Sequence, residues 1–215
     1  MNKTMPLGKQ LNVIFHDKQF AVMILKKCGS VTLHKTLLKS FGHTDLSGNN
    51  INKVFRQDFN LVNKYEIAKF NYTTTSWVRN PFDRLVSGWF NRIRNKKNAK
   101  SYGVDPNISF EDFALYICSL EDKDVNVHFH QQTFDIAIDG KLVPNRLIHL
   151  ESLIEEWEDL RKEVPWLAPI KWREQWSKKK GDFKEYYKKD LLIEKVAQRF
   201  EQDLRLLGYT FEGII

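Results

Sequence analysis

The 215-residue chain is 42% apolar and carries 34 Lys and Arg against 27 Asp and Glu, giving a net charge of +7 and a pI near 9.3. That apolar content excludes a disordered chain, two cysteines exclude a disulfide framework or cysteine-built zinc site, and no apolar run is long enough to span a bilayer. The positive balance favours anionic ligands, with nucleic acid, a phosphorylated cofactor and an acidic glycan all open on charge alone. With no repeat, low-complexity tract or linker, residues 1–215 read as a single domain. With no apolar signal core in residues 1–10, the chain is expected to be cytoplasmic or otherwise soluble and intracellular.

Residues 19–26, QFAVMILK, form a continuous apolar run of strand length, the pattern of a strand buried on both faces in a parallel sheet. Lys-Cys-Gly-Ser interrupts it, and from Val31 the period changes: Leu33, Leu37 and Phe41 recur every four residues, with Lys35 and Lys39 on another face. Strand, small-residue turn, helix is the predicted order. A second strand over residues 74–78 stops at Arg79-Asn80-Pro81, where Asn80 suits an N-cap and Pro81 the first helical position. Phe82, Leu85, Val86, Trp89, Phe90 and Ile93 then mark an amphipathic helix. A polar, basic stretch follows to Ser109, which opens a helix running to about Leu120. Further strands are predicted over residues 133–138 and 146–150, and helices over 151–162 and 191–206. Strands alternating with helices imply an α/β fold with a largely parallel sheet.

A strand that ends in a small-residue turn and feeds a helix aims several backbone N–H groups at one spot, which suits an anion. In Lys27-Cys28-Gly29-Ser30-Val31-Thr32, Gly29 allows close approach, Ser30 and Thr32 add hydroxyls, and Lys27 adds a cation. GxxxxGK[ST] is absent, so metal-dependent use of ATP is not indicated. Cys28 sits among lysines at a helix start, where a thiol pKa falls, but no Cys-His-Asn order accompanies it and steric fit is the expected role. The second motif runs from Trp77 to Trp89. Arg79 closes a strand, Ser87 lies two turns beyond the cap on nearly the same face, and Arg84 flanks it on the polar side. An arginine fork with a hydroxyl is a sensible receptor for a terminal phosphate; pairing of Arg79 and Arg84 with Asp83 is the structural alternative.

The second motif resembles the VRxPxxRLVSxY signature of the carbohydrate-type sulfotransferases, relatives of the heparan and chondroitin sulfotransferases. The loop resembles that family's PK[TV]A[SC]T segment. The resemblance implies a three-layer P-loop-like fold, its central largely parallel sheet flanked by helices, and transfer from 3′-phosphoadenosine 5′-phosphosulfate (PAPS), leaving 3′,5′-phosphoadenosine. It implies that Lys27, Cys28, Gly29, Ser30, Val31 and Thr32 surround the 5′-phosphosulfate, that Arg79 and Ser87 grip the 3′-phosphate, and that no metal is needed. A glycan or small hydroxyl compound is the implied acceptor, and no nucleic-acid partner is expected.

Three further passages are similar to the family: HFHQQ, aligning His128 and Gln132; RLIHLESL, aligning Glu151; and RFEQDLRLLGY, aligning Asp203, Gly208 and Tyr209. Leu25-Lys26, Val31 and Gln131 depart from the usual pattern. A hydroxyl acceptor needs a base, and histidine titrates near working pH. His128 has the motif support as the catalytic base beside Lys27, with His130 and His43 as rivals, while Glu151 reads as a helix cap or an orienting acid. The basic tracts over residues 92–100 and 171–189 read as solvated faces, although Lys178-Lys-Lys-Gly-Asp-Phe-Lys resembles the lysine and glycine segment that closes over the donor in soluble sulfotransferases. Other readings stay open on residues alone. One is a P-loop-like phosphotransferase, which would bind nucleotide with Mg²⁺. Another is a nucleic-acid module, though no RRM, KH, helix-turn-helix or zinc-finger pattern is visible. The third is a non-catalytic glycan-binding relative.

Overall fold

The computed structural model describes residues 12–44, 46, 51–94, 99, 102–171 and 181–215. In chain order the elements are β1 (Asn12–Phe15), β2 (Phe20–Met23), α1 (Ser30–Ser40), α2 (Ile51–Asp58), β3 (Leu61–Val62), α3 (Lys64–Ile67) and β4 (Thr73–Val78). There follow α4 (Pro81–Gly88), a π turn (Trp89–Ile93), α5 (Phe110–Cys118), α6 (Gln132–Ile136), β5 (Ala137–Ile138), β6 (Lys141–Leu142) and β7 (Arg146–His149). The last helices are α7 (Leu153–Glu163), α8 (Asp190–Arg199) and α9 (Glu201–Leu207). The chain packs as two compact units: the described residues of 12–78 and 136–171, and those of 79–135 and 181–215.

The first unit is an α/β fold on a five-stranded sheet of order β3-β1-β2-β4-β7. β2 pairs parallel with β4, and β4 with β7; β1 alone runs against its neighbours. The sheet is therefore mixed but largely parallel, with helices flanking it, as a P-loop-like fold requires. All four residues of β2 are buried, which is why its sequence is continuously apolar rather than alternating. Thr74, Thr75 and Ser76 of β4 are also buried, and Ser76 Oγ donates to the Met23 carbonyl at 2.8 Å. Where β2 leaves the sheet, the Ile24 N–H is met by Asn12 Oδ1 at 3.1 Å. Leu33, Leu37 and Leu38 of α1 are fully buried, each worth roughly 2 kcal/mol of apolar burial. Phe15 stacks on Phe41 with centroids 4.9 Å apart, and Trp166 meets Phe20 edge-on at 5.3 Å.

The second unit gathers Phe82, Leu85 and Val86 of α4, Phe113 and Ile117 of α5, Phe129, Tyr187, Val196 and Phe200 into one core. The Tyr187 hydroxyl donates to the Phe82 carbonyl at 3.0 Å, so the ring's polar end is satisfied inside that core. The expected caps are present: Asn80 Oδ1 accepts from Phe82 N–H with Pro81 at the first helical position, and Ser109 Oγ accepts from Asp112 N–H. Among the described residues no helix is long and apolar enough to cross a membrane.

Three sequence expectations need correction. Residues 133–138 are not one strand: Gln132–Ile136 is helical, and only Ala137–Ile138 is extended, paired with β6 outside the main sheet. The first turn of α6 is nucleated by the Asp203 carboxylate, which takes the N–H groups of Gln132 and Thr133 from far along the chain. Residues 191–206 are two helices, because Phe200 leaves helical geometry at φ −111°, ψ 26° to bury its ring. The amphipathic run after Asn80 is α-helical only to Gly88 and then widens into the π turn. Residues 95–98, 100 and 172–180 of the two basic tracts lie outside the described residues; of their flanks, Lys184 pairs with Glu212 and Lys189 with Glu111.

His34 of α1 is buried, stacked on Phe55 at 4.2 Å, with Nδ1 2.8 Å from Asn52 Oδ1. Nε2 is buried and has no hydrogen-bond partner among the described residues, so a proton there would be stranded. Burial first, then the charges of Lys26 and Arg56, lower its pKa to about 4. A histidine whose folded pKa is depressed contributes stability that is full above the unfolded value near about 6.5 and is lost as pH falls towards the folded value, a span worth roughly 3 kcal/mol. Urea denaturation at pH 7 and at about pH 4.5 should show wild type losing about 2 kcal/mol more than His34→Gln. Equal losses in the two proteins would mean that the imidazole titrates normally.

Candidate active site

Residues 27–32 turn the chain from β2 into α1. Lys27 has φ +69° and Gly29 φ +72°, so two residues of this short turn are left-handed. For lysine that geometry is disfavoured by roughly 1–2 kcal/mol, and strain of this kind concentrates at ligand sites. Gly29 is required twice: its φ suits glycine, and a Cβ there would stand 3.1 Å from both Leu150 Cδ1 and Trp77 Cε3. The helix begins at Ser30 with no side-chain cap and no acid in its first turn, so the N–H groups of Ser30, Val31 and Thr32 form an electropositive end. Val31 is 50% exposed and contributes its main chain there. Cys28 is buried with Sγ 3.6 Å from the Lys26 carbonyl oxygen, so its side chain fills the turn and only its backbone belongs to the loop surface. A turn so arranged offers main-chain N–H donors beside a lysine, a setting that suits an anion.

In the second unit Arg79 follows directly on β4 and is fixed at both ends. Its Nε and Nη2 donate to Asp83 Oδ2, one helical turn on, at 2.8 and 2.6 Å. Its N–H donates to Gln132 Oε1 at 2.9 Å, and its carbonyl accepts from Gln132 Nε2 at 2.8 Å. Ser87 is 7% exposed, and its hydroxyl has no hydrogen-bond partner among the described residues. Arg84 corrects the expectation of a polar flank: it is buried, with Nη1 donating to the His130 carbonyl at 2.6 Å and Nη2 to that of Val127 at 3.4 Å. It ties residues 127–130 to α4 instead of facing a ligand.

The same segment carries the candidate base. His128 is half-buried; its Nδ1 lies against Asn126 Oδ1, which also accepts the His128 N–H at 3.1 Å. An amide oxygen can only accept, so Asn126 selects the tautomer with the proton on Nδ1 and the lone pair on Nε2. Tyr102 Oη stands 3.4 Å from Nδ1. His130 is buried with both ring nitrogens engaged, Nδ1 to Asp135 Oδ1 at 3.0 Å and Nε2 to the Val125 carbonyl at 3.1 Å. His43 pairs with Asp58 at 3.0 Å near the surface. Glu151 lies in a short 3-10 turn, Leu150–Ser152, and it is Glu156 that bonds His149. Gly208 ends α9 at φ +70°, and Tyr209 is buried beside it. Among the described residues, no group of three His, Cys, Asp or Glu is placed to hold a metal ion.

A family model described as "Sulfotransferase family" matches residues 11–210, nearly the whole chain. The chain belongs to the carbohydrate sulfotransferase family. No curated protein and no solved structure matches it. Membership makes this sulfotransferase an enzyme and implies a PAPS donor. The uncapped helix start, the two left-handed residues and the lysine suit the anionic end of such a donor.

The pairing of Arg79 with Asp83, weighed from the sequence as the structural alternative, is present, at the four-residue spacing where helical ion pairs form. Asp203 aligns with the family without a role, and sequence reasoning missed Asn126. It also missed Gly88, where a Cβ would come within 2.5 Å of the Phe129 ring. That bare backbone lets residues 127–130 lie on α4. Gly88→Ala should displace Phe129 and, with it, His128, at a cost of about 1–3 kcal/mol. Gly29→Ala should cost about as much through φ and the Trp77 contact. Denaturant midpoints of the two variants measure both effects, and unchanged midpoints would show that neither glycine is sterically required.

Proposed function

We propose that this sulfotransferase passes a sulfuryl group from PAPS to a carbohydrate hydroxyl. Lys27, Gly29, Ser30, Val31 and Thr32, with the backbone of Cys28, hold the 5′-phosphosulfate; Arg79 and Ser87 hold the 3′-phosphate; His128 is the base. The observation that carries the reading is the loop geometry: an uncapped helix start beside a lysine held left-handed. The donor supplies a sulfuryl group activated by its link to the 5′-phosphate. His128 takes the acceptor proton on Nε2 as the new S–O bond forms, and Asn126 keeps Nδ1–H fixed as the ring gains charge. Lys27 and the first-turn N–H groups meet the electron pair that the broken S–O bond leaves on the 5′-phosphate. Asp83 pre-sets the Arg79 fork, and the Ser87 hydroxyl adds a donor for the same phosphate. A carbohydrate acceptor, a glycan or a small hydroxyl compound, is supported by the family, and the net charge of +7 favours the approach of an acidic glycan over a neutral one.

Calorimetry with 3′,5′-phosphoadenosine and with AMP tests the donor reading. Wild type should prefer the 3′-phosphorylated ligand and Arg79→Ala should lose that preference; equal affinity of wild type for AMP would sink the assignment. Lys27→Gly keeps the left-handed turn while deleting the ammonium group, so the fold should persist and kcat fall about 10²–10³-fold. For the base, radiolabelled donor and a panel of glycan and simple alcohol acceptors should give turnover that drops about 10²–10⁴-fold in His128→Ala, with the acidic limb of the pH–rate profile flattened. An intact acidic limb in that variant would assign the proton transfer elsewhere.

A further inference from the structure

The main chain of Arg79 is held by a group whose alignment with the family carries no stated role. Gln132 has no exposed surface, and its amide faces both polar backbone groups of Arg79, accepting from the N–H at 2.9 Å and donating to the carbonyl at 2.8 Å. Turning the amide over would set donor against donor and acceptor against acceptor, so only one orientation is allowed. The second hydrogen on Nε2 points to Asp203 Oδ2 at 3.3 Å. Asp203 is itself fully buried: Oδ2 takes the Gln132 N–H at 2.8 Å, and Oδ1 takes the Thr133 N–H and hydroxyl, each at 2.8 Å. Burial pushes this carboxyl above its usual range, while the bonds from Thr133 and Gln132 and the charge of Arg84 pull it back.

Resting on the assignment of Arg79 to the donor's 3′-phosphate, we propose that Gln132, backed by Asp203 and Thr133, is the positioning residue that makes the site selective for a 3′-phosphorylated donor. Two hydrogen bonds from one amide to one residue's backbone do what a neighbouring strand would do: they continue strand-like pairing to Arg79, just beyond the last residue of β4. Asp83 then fixes the guanidinium. A fork held at both ends loses little freedom when it meets a phosphate, and its aim depends on the backbone that carries it. A buried carboxylate is a costly way to tie α9 to α6 if packing were its only purpose, since apolar side chains would serve.

The test is the ratio of affinities for 3′,5′-phosphoadenosine and AMP, measured on the same full-length samples. A loss of folded fraction scales both affinities alike and leaves the ratio untouched. Gln132→Met, similar in volume but unable to bond Arg79, should lower the ratio about tenfold, and Thr133→Val, nearly isosteric and one step further out, about two- to threefold. In an Arg79→Ala background, Gln132→Met should lower it no further, because the two act in series. A ratio unchanged in both Gln132→Met and Thr133→Val, with Arg79→Ala still abolishing the preference, overturns the positioning role and leaves the donor reading standing. A ratio unchanged in Arg79→Ala overturns the donor reading itself, and the positioning role with it.

Discussion

The second unit is organised around a carboxylate that never reaches solvent. Asp203 sits in α9, yet its oxygens serve as the N-cap of α6, a helix some seventy residues earlier. Through Gln132 the same group reaches Arg79, and Arg84 compensates part of its charge while pinning the carbonyls of residues 127 and 130. Replacing any one member leaves a donor or acceptor buried without a match, which is the expensive kind of loss. Cooperativity of this sort gives the unit one arrangement of its polar groups rather than several.

The first unit solves a different problem. Its central strands are buried on both faces, so the chain must leave the sheet abruptly and present polar atoms within a few residues. Asn12 caps the exit of β2, Cys28 is buried in the turn, Gly29 lies close against Trp77 and Leu150, and the helix that follows begins with no side-chain cap. Small side chains below and donors above are two requirements on the same six residues, and they account for the sequence KCGSVT more fully than anion binding alone.

Much of this was legible from residues. The change from a continuous apolar run to a four-residue period located the turn at residues 27–32, and Asn80-Pro81 located the start of α4, because both signals are local. What escaped was non-local. β1 and β3 are four and two residues long and owe their conformation to pairing across the sheet. The helix over Gln132–Ile136 reads as alternating TFDIAI until Asp203 is brought to its first turn. Arg84 looks like a surface charge, and the carbonyls of Val127 and His130 together with the charge of Asp203 help make its burial tolerable. Phe200 breaks a helix that periodicity alone would continue, since burying the ring in the core outweighs the helical bonds given up.

Lys27 carries a constraint of its own. Its left-handed backbone is an unfavourable choice for a residue with a side chain, disfavoured by roughly 1–2 kcal/mol. It also makes position 27 unforgiving in evolution: glycine or asparagine would accept the backbone without the charge, arginine would keep the charge with a different reach, and a β-branched residue would fail on both counts.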